Sequence, residues 1–142
     1  MFVSVSPTYT VEHLQLFSLF EKVTRVPVKD CFTFRDRLLF FVDEGKLAKA
    51  LGKQLSNLKR LEEVMKRKIK IVEFHPDMLR LIQNIVAPLR VVKIEEQDGV
   101  VTLTGPDVKT KGLLIGARAQ NLRALEEIVK TYHPHLKEIR VV

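Results

Sequence analysis

The sequence predicts an α+β protein built from two copies of one α-β-β-α-α-β unit, each a three-stranded sheet covered by helices. Three observations carry this. The phrase "LGKQLSNLKRLEE" at 51–63 returns as "IGARAQNLRALEE" at 115–127, 64 residues later, with six of thirteen positions identical. Each copy follows two short strand-like runs separated by a turn signal. In the helix after each glycine, Leu58, Leu61 and Met65 repeat as Leu122, Leu125 and Val129, the i, i+3, i+7 spacing of one buried face.

The elements follow in order. "TVEHLQLFSLFEKVTR" (10–25) places Leu14, Leu16, Phe17, Leu19, Phe20 and Val23 on a helical stripe behind Thr10, a residue suited to the N-cap. Next come two strands, "VPVKDCFTF" and "RLLFFV", around the turn "RDR". A short helix over 45–51, a glycine turn, a helix over 56–67 and the strand "IKIVEF" complete the unit. The second unit opens with "PDMLRLIQNIVAP" (76–88), where Pro76 suits a first helical turn and Pro88 stops the element. The boundary therefore falls near His75, giving domains 1–75 and 76–142 with almost no linker. The strands "LRVVKIEE" and "VVTLT" flank "QDG", and Asp98-Gly99 is a strong hairpin signal. A helix over 107–115, a second glycine turn, a helix over 120–132 and the strand "KEIRVV" close the repeat.

A chain of 142 residues with 46% hydrophobic content can build real cores. Its longest apolar run, "LLFFV" at 38–42, is far shorter than the roughly 18–20 residues of a membrane span. The start "MFVSVSP" lacks the basic region and apolar stretch of a signal peptide, so a cytoplasmic location without membrane attachment is expected. One cysteine, Cys31, allows neither an internal disulfide nor a thiolate metal cluster. The net charge is +7, and residues 45–70 alone hold nine basic residues against two Glu. Positive charge concentrated in this way suits a polyanion such as nucleic acid. A solvated helix face kept soluble by lysines would have the same composition.

Gly52 and Gly116 each begin a turn that leads into a helix N-terminus, where unpaired N–H groups and the dipole favour a phosphate. Two nucleotide-enzyme readings fail on spacing. A P-loop needs four residues between its glycines and Ser or Thr after the Lys, but six residues separate Gly45 from Gly52 and Gln54 follows Lys53. The G-x-G-x-x-G pattern is missing too. No catalytic constellation is found. The neighbours Glu62-Glu63 and Glu126-Glu127 diverge around their helices. His133 and His135 have no further metal ligands nearby and read as turn residues, and Cys31 reads as a small buried side chain. The protein is expected to be no enzyme and to need no cofactor or metal.

The order α-β-β-α-α-β with a glycine turn between the last two helices resembles the type II KH domain, which clamps about four nucleotides with a G-x-x-G loop. "FEKVTRVPVKDC" (20–31) and "FFVDEGKLAKALGKQLSNLKRLEEVMKRKIKIVEF" (40–74), in a chain of only two such units, resemble the archaeal NusA-like transcription elongation and termination factors. The likeness covers essentially all 142 residues. It implies binding of single-stranded RNA, the nascent transcript, with RNA polymerase as a possible partner. The implied RNA-binding residues are Lys49, Gly52, Lys53, Gln54, Leu55, Asn57, Lys59 and Arg60 in the first unit. Gly116, Ala117, Arg118, Ala119, Asn121 and Arg123 are their counterparts in the second. Both loops depart from the pattern, because Leu55 and Ala119 stand where the second glycine belongs. Leu55 is expected either to obstruct the phosphates or to pack inward as core. Asn57 and Asn121 read as residues that touch RNA, or as capping or first-turn residues that stabilise the helix start. Two alternatives share the fold: a protein-interaction scaffold whose altered loops no longer grip RNA, and an RNA-processing or ribosome-assembly protein.

Overall fold

The computed structural model describes residues 10–142, and the leader expectation drawn from "MFVSVSP" lies outside the described residues. In the first half the chain forms α1 (Val11–Thr24), β1 (Asp30–Phe34), β2 (Arg37–Val42), α2 (Leu47–Leu51), α3 (Ser56–Met65) and β3 (Ile69–Glu73). In the second it forms α4 (Met78–Val86), β4 (Lys93–Gln97), β5 (Val100–Thr104), α5 (Val108–Ile115), α6 (Gln120–Tyr132) and β6 (Glu138–Val141). The architecture is mixed α+β with two small three-stranded sheets, ordered β1-β2-β3 and β4-β5-β6. Two compact units result. One runs up to Phe32 and resumes over Arg37–Glu73, and the other comprises Thr33–Asp36 and Phe74–Val142.

In each sheet the last strand runs parallel to the middle one, which requires a crossover through the two helices between them. Leu38 pairs with Ile69 and Phe40 with Ile71 in the first sheet. Val101 pairs with Ile139 and Leu103 with Val141 in the second. The helices that carry the glycine turns are thereby tied to the sheet at both ends. A matched bond strengthens the tie: Glu62 Oε2 accepts the Ile69 amide at 3.1 Å, and Glu126 Oε2 accepts the Ile139 amide at 2.8 Å. The first glutamate of each adjacent pair is thus a helix-to-strand clip.

Thr10 caps α1 as expected, its hydroxyl accepting the His13 amide. The buried stripe of this helix is narrower than the one read from sequence. Phe20 is fully buried and Leu16, Phe17 and Val23 pack on the core, whereas Leu14 is 41% exposed. At the helix end Thr24 is buried, and its hydroxyl donates to the Phe20 carbonyl while accepting the Val26 amide. The first core gathers Phe20, Val26, Leu38, Phe40, Val42, Ala50, Leu61, Ile69 and Ile71, with the Phe20 and Phe40 rings stacked at 4.7 Å. In the second unit Leu81, Ile82 and Ile85 of α4 and Leu125 and Val129 of α6 are buried. The expected place of Pro76 inside the first turn of α4 is corrected. Asp77 is the N-cap, accepting the Arg80 amide, because its short carboxylate reaches an unpaired helix N–H and a proline ring cannot.

Candidate functional site

Each glycine turn lies between two packed helices and has the same backbone in both units. Gly52 sits at φ 79°, ψ 168° and Gly116 at φ 77°, ψ 172°. That region of conformational space is essentially reserved for glycine. A tight turn follows, Lys53–Leu55 or Ala117–Ala119, closed by the Leu55 amide on the Gly52 carbonyl and the Ala119 amide on the Gly116 carbonyl. Two consecutive left-handed residues then swing the chain into the next helix. They are Gln54 (φ 56°, ψ 34°) with Leu55 (φ 62°, ψ 24°), and Arg118 (φ 55°, ψ 33°) with Ala119 (φ 58°, ψ 24°). A non-glycine residue held there costs about 1–2 kcal/mol. Both turns hold this shape with no glycine at residue 55 or 119, so the packed helices on either side set it.

The glycines have a second function, which is to make room. A Cβ on Gly116 would meet the Asn121 side chain at 2.5–2.9 Å, and one on Gly52 would meet Ser56 and Asn57 at 2.8–2.9 Å. Asn121 lies over its glycine and donates from Nδ2 to the Leu113 carbonyl at 2.9 Å, and Asn57 donates to the Lys49 carbonyl at 3.2 Å. Both asparagines lie in the first turn of their helices, as one expected alternative had it, and do not act as caps. Residues 55 and 119 hold the cap position without a side-chain bond, and the amides instead bind a carbonyl near the end of the preceding helix. That carbonyl belongs to the last turn of α2 or α5, where intrahelical donors run out. Asn121 is only 9% exposed.

The cations are arranged around this rigid turn. Lys49, Lys53, Gln54, Lys59 and Arg60 are exposed in the first unit, as are Ala117, Arg118 and Arg123 in the second; Gly52, Asn57, Gly116 and Ala119 are half-buried. Leu55 is 45% exposed, so it does not pack inward as core. Beside the second turn lies an open depression of about 500 Å³ lined by Ala117, Arg118, Gln120, Arg123, Ala124 and Glu127. Gln120 and Ala124 were not expected there. Their spacing in sequence, with Arg123 and Glu127 three or four residues on, is what puts them on one helix face. Glu127 places a carboxylate among the cations.

The remaining reactive side chains lie elsewhere. Cys31 is 5% exposed, and burial, with Asp30 adding to it, pushes its thiol up to about 12. A thiol held protonated is no nucleophile at neutral pH. His133 and His135 stand with their rings perpendicular at 5.8 Å in the connection between α6 and β6. No helix among the described residues is long and apolar enough to cross a membrane.

Fold and site together define a two-unit α+β protein, internally duplicated, that presents one rigid glycine turn with exposed cations per unit. A protein of Methanocaldococcus jannaschii described as "Probable transcription termination protein NusA" is 32% identical over 94% of this chain and 74% of its own length. Its counterpart in Methanococcus vannielii is 30% identical over 92% of this chain and 77% of its own. The chain belongs to this family of archaeal NusA-like transcription termination proteins. The crystal structure of APE1850 covers 94% of this chain and 100% of that one, with a TM-score of 0.71 and 24% identity, which speaks for the fold alone. No protein-family model matches the chain.

Proposed function

We propose that this NusA-like factor is a non-enzymatic cytoplasmic protein that binds single-stranded RNA, the nascent transcript, through two tandem type II KH domains, residues 1–75 and 76–142. One observation carries the reading: the same turn, with φ and ψ matched within a few degrees, precedes α3 and α6, and exposed cations surround it both times. A phosphate set against such a turn meets helix N–H groups and lysine or arginine side chains together. Bases splayed from the strand would lie across the adjoining helix face. In the first unit Lys49, Lys53, Lys59 and Arg60 supply the charge, and in the second Arg118 and Arg123 do so. Asn57 and Asn121 act indirectly, by holding the turn to the preceding helix. RNA polymerase is the partner that a transcription termination factor would meet.

Titration of labelled single-stranded oligonucleotides at several salt concentrations tests this. Micromolar-range binding that weakens as salt rises is expected, with the logarithm of the affinity falling by about 0.7 per phosphate neutralised for each tenfold rise in salt. Undetectable binding at low salt would overturn the RNA reading in favour of a protein-interaction scaffold.

A further inference from the structure

The internal duplication separates what the fold needs from what it does not. A feature required to build the unit should occur in both copies, and the glycine turn, the asparagine bond and the glutamate clip all do. A basic pocket at the far end of α3 does not. It is open, about 550 Å³, and lined by Arg37, Glu62, Lys66, Arg67 and Lys68. Glu62 is the clip, its Oε2 already holding the Ile69 amide. Four cations surround one carboxylate, and Lys66, Arg67 and Lys68 are exposed. The sheet pairing aligns Leu38 with Val101, so Val100 takes the place of Arg37 in the second unit. The 64-residue repeat puts Lys130 in the place of Lys66, and the pairing that matches Ile139 to Ile69 puts Lys137 and Glu138 in the places of Arg67 and Lys68. Two of the four positive charges are missing from the second copy, and Glu138 adds a carboxylate there.

The pocket is also connected to the turn. Lys59 and Arg60 lie on α3, Lys66 is its left-handed C-cap and Arg67 the next residue, and all four are exposed. A ten-residue helix is about 15 Å long, which sets the distance from the glycine turn to the pocket.

We propose that this pocket is a second phosphate-binding site for the RNA strand, reached from the turn past Lys59 and Arg60 of α3 and present in the first unit only. The proposal rests on the RNA reading above and extends it to a longer strand. A strand that continues from the turn past Lys59 and Arg60 to the pocket favours the phosphate backbone over an acidic protein, because lysine point charges and arginine forks suit successive phosphates.

The test compares a tetranucleotide, which fills about one turn site, with a dodecanucleotide, using the full chain and fluorescence anisotropy at several salt concentrations. Lys66→Gln with Lys68→Gln should weaken dodecanucleotide binding and reduce its salt slope by about 1.4, at about 0.7 per contact, with tetranucleotide binding unchanged. Lys66→Arg with Lys68→Arg should retain wild-type behaviour. Thermal melts of both variants establish that they are folded. A folded glutamine variant that binds both oligonucleotides like the wild type would overturn the second site while leaving the turn sites intact. Equal losses on both lengths would overturn it as well, since the lysines would then belong to the turn site or to a general field. If the wild type binds polyglutamate, the glutamine variant does not, and its RNA binding is unaltered, the pocket is a protein-docking site and the proposal fails. A wild-type protein that binds neither oligonucleotide overturns the RNA reading and this site with it.

Discussion

Replacing Leu55 with glycine removes an isobutyl group from a residue held at φ 62°, ψ 24° on a turn that is 45% exposed there. Relief of the left-handed conformation is worth about 1–2 kcal/mol. Against it stand about 0.4–1 kcal/mol of extra chain freedom in the unfolded state and roughly 1 kcal/mol of apolar burial lost from a half-covered leucine. The net lies within about 1 kcal/mol of zero, so the melting temperature should move by no more than roughly 5 °C. The RNA strand should then approach the backbone more closely, strengthening binding on the order of 1 kcal/mol, about fivefold. Ala119→Gly is the internal control, because Ala119 has nearly the same dihedral angles (φ 58°, ψ 24°) and only a methyl group. It should relieve a similar strain and change affinity less. Melts and binding isotherms on both variants separate the terms. A loss of 2 kcal/mol or more in Leu55→Gly would refute the strain argument, that being the range for a core leucine. Weaker binding by the folded variant would show the leucine to be a platform for a base and refute the obstruction argument.

Other outcomes follow from the same geometry. Lys53→Glu with Lys59→Glu should weaken RNA binding more than Arg118→Glu with Arg123→Glu, because the first unit holds the larger positive excess. Melting temperatures should barely shift in either, as exposed substitutions usually stay within about 0.5 kcal/mol. Asn121→Ala should cost about 1–3 kcal/mol in denaturant unfolding by stranding the Leu113 carbonyl, and Asn57→Ala, at a more open site with a longer bond, should cost less. Gly116→Ala should destabilise by at least about 1–3 kcal/mol, from its dihedral angles alone. Cys31 has a folded pKa near 12 against 9.0 for the free group, so the fold favours the neutral thiol. Its contribution to stability is whole below pH 9 and is lost between 9 and 12, and alkylation at pH 8 should proceed only at the rate of protein opening, rising with added denaturant.

Much of this was legible in the sequence because the chain states it twice. The helix over 120–132 matches α6 end for end, since Gly116 and the apolar period mark its start and the His133-Pro134 pair its end. The strands of the second hairpin follow from Asp98-Gly99 in the same way. What could not be read is where polar side chains reach. Asn57 has the composition of a cap and lies at the right place for one, yet its partner is a carbonyl eight residues back, set by the packing of α2 on α3. The left-handed pairs Gln54-Leu55 and Arg118-Ala119 carry no glycine to announce them, because tertiary packing imposes the conformation that composition argues against. The clip from Glu126 to Ile139 spans thirteen residues, beyond the reach of any local rule.

The near-identity of the two turns bears on how such a protein can change. Lys53-Gln54-Leu55 and Ala117-Arg118-Ala119 share no residue at any position, yet the dihedral angles of Gln54 and Leu55 agree within a few degrees with those of Arg118 and Ala119. The frame of glycine, asparagine and flanking helices works as a socket, and the three residues between are interchangeable heads. Mutation can therefore retune grip, charge and bulk at one socket without renegotiating the architecture, and without touching the other. Gene duplication followed by drift in just these triplets would yield a bivalent reader whose halves prefer different stretches of one strand. Transplanting the Ala-Arg-Ala triplet into the first socket would exchange the heads in a single step.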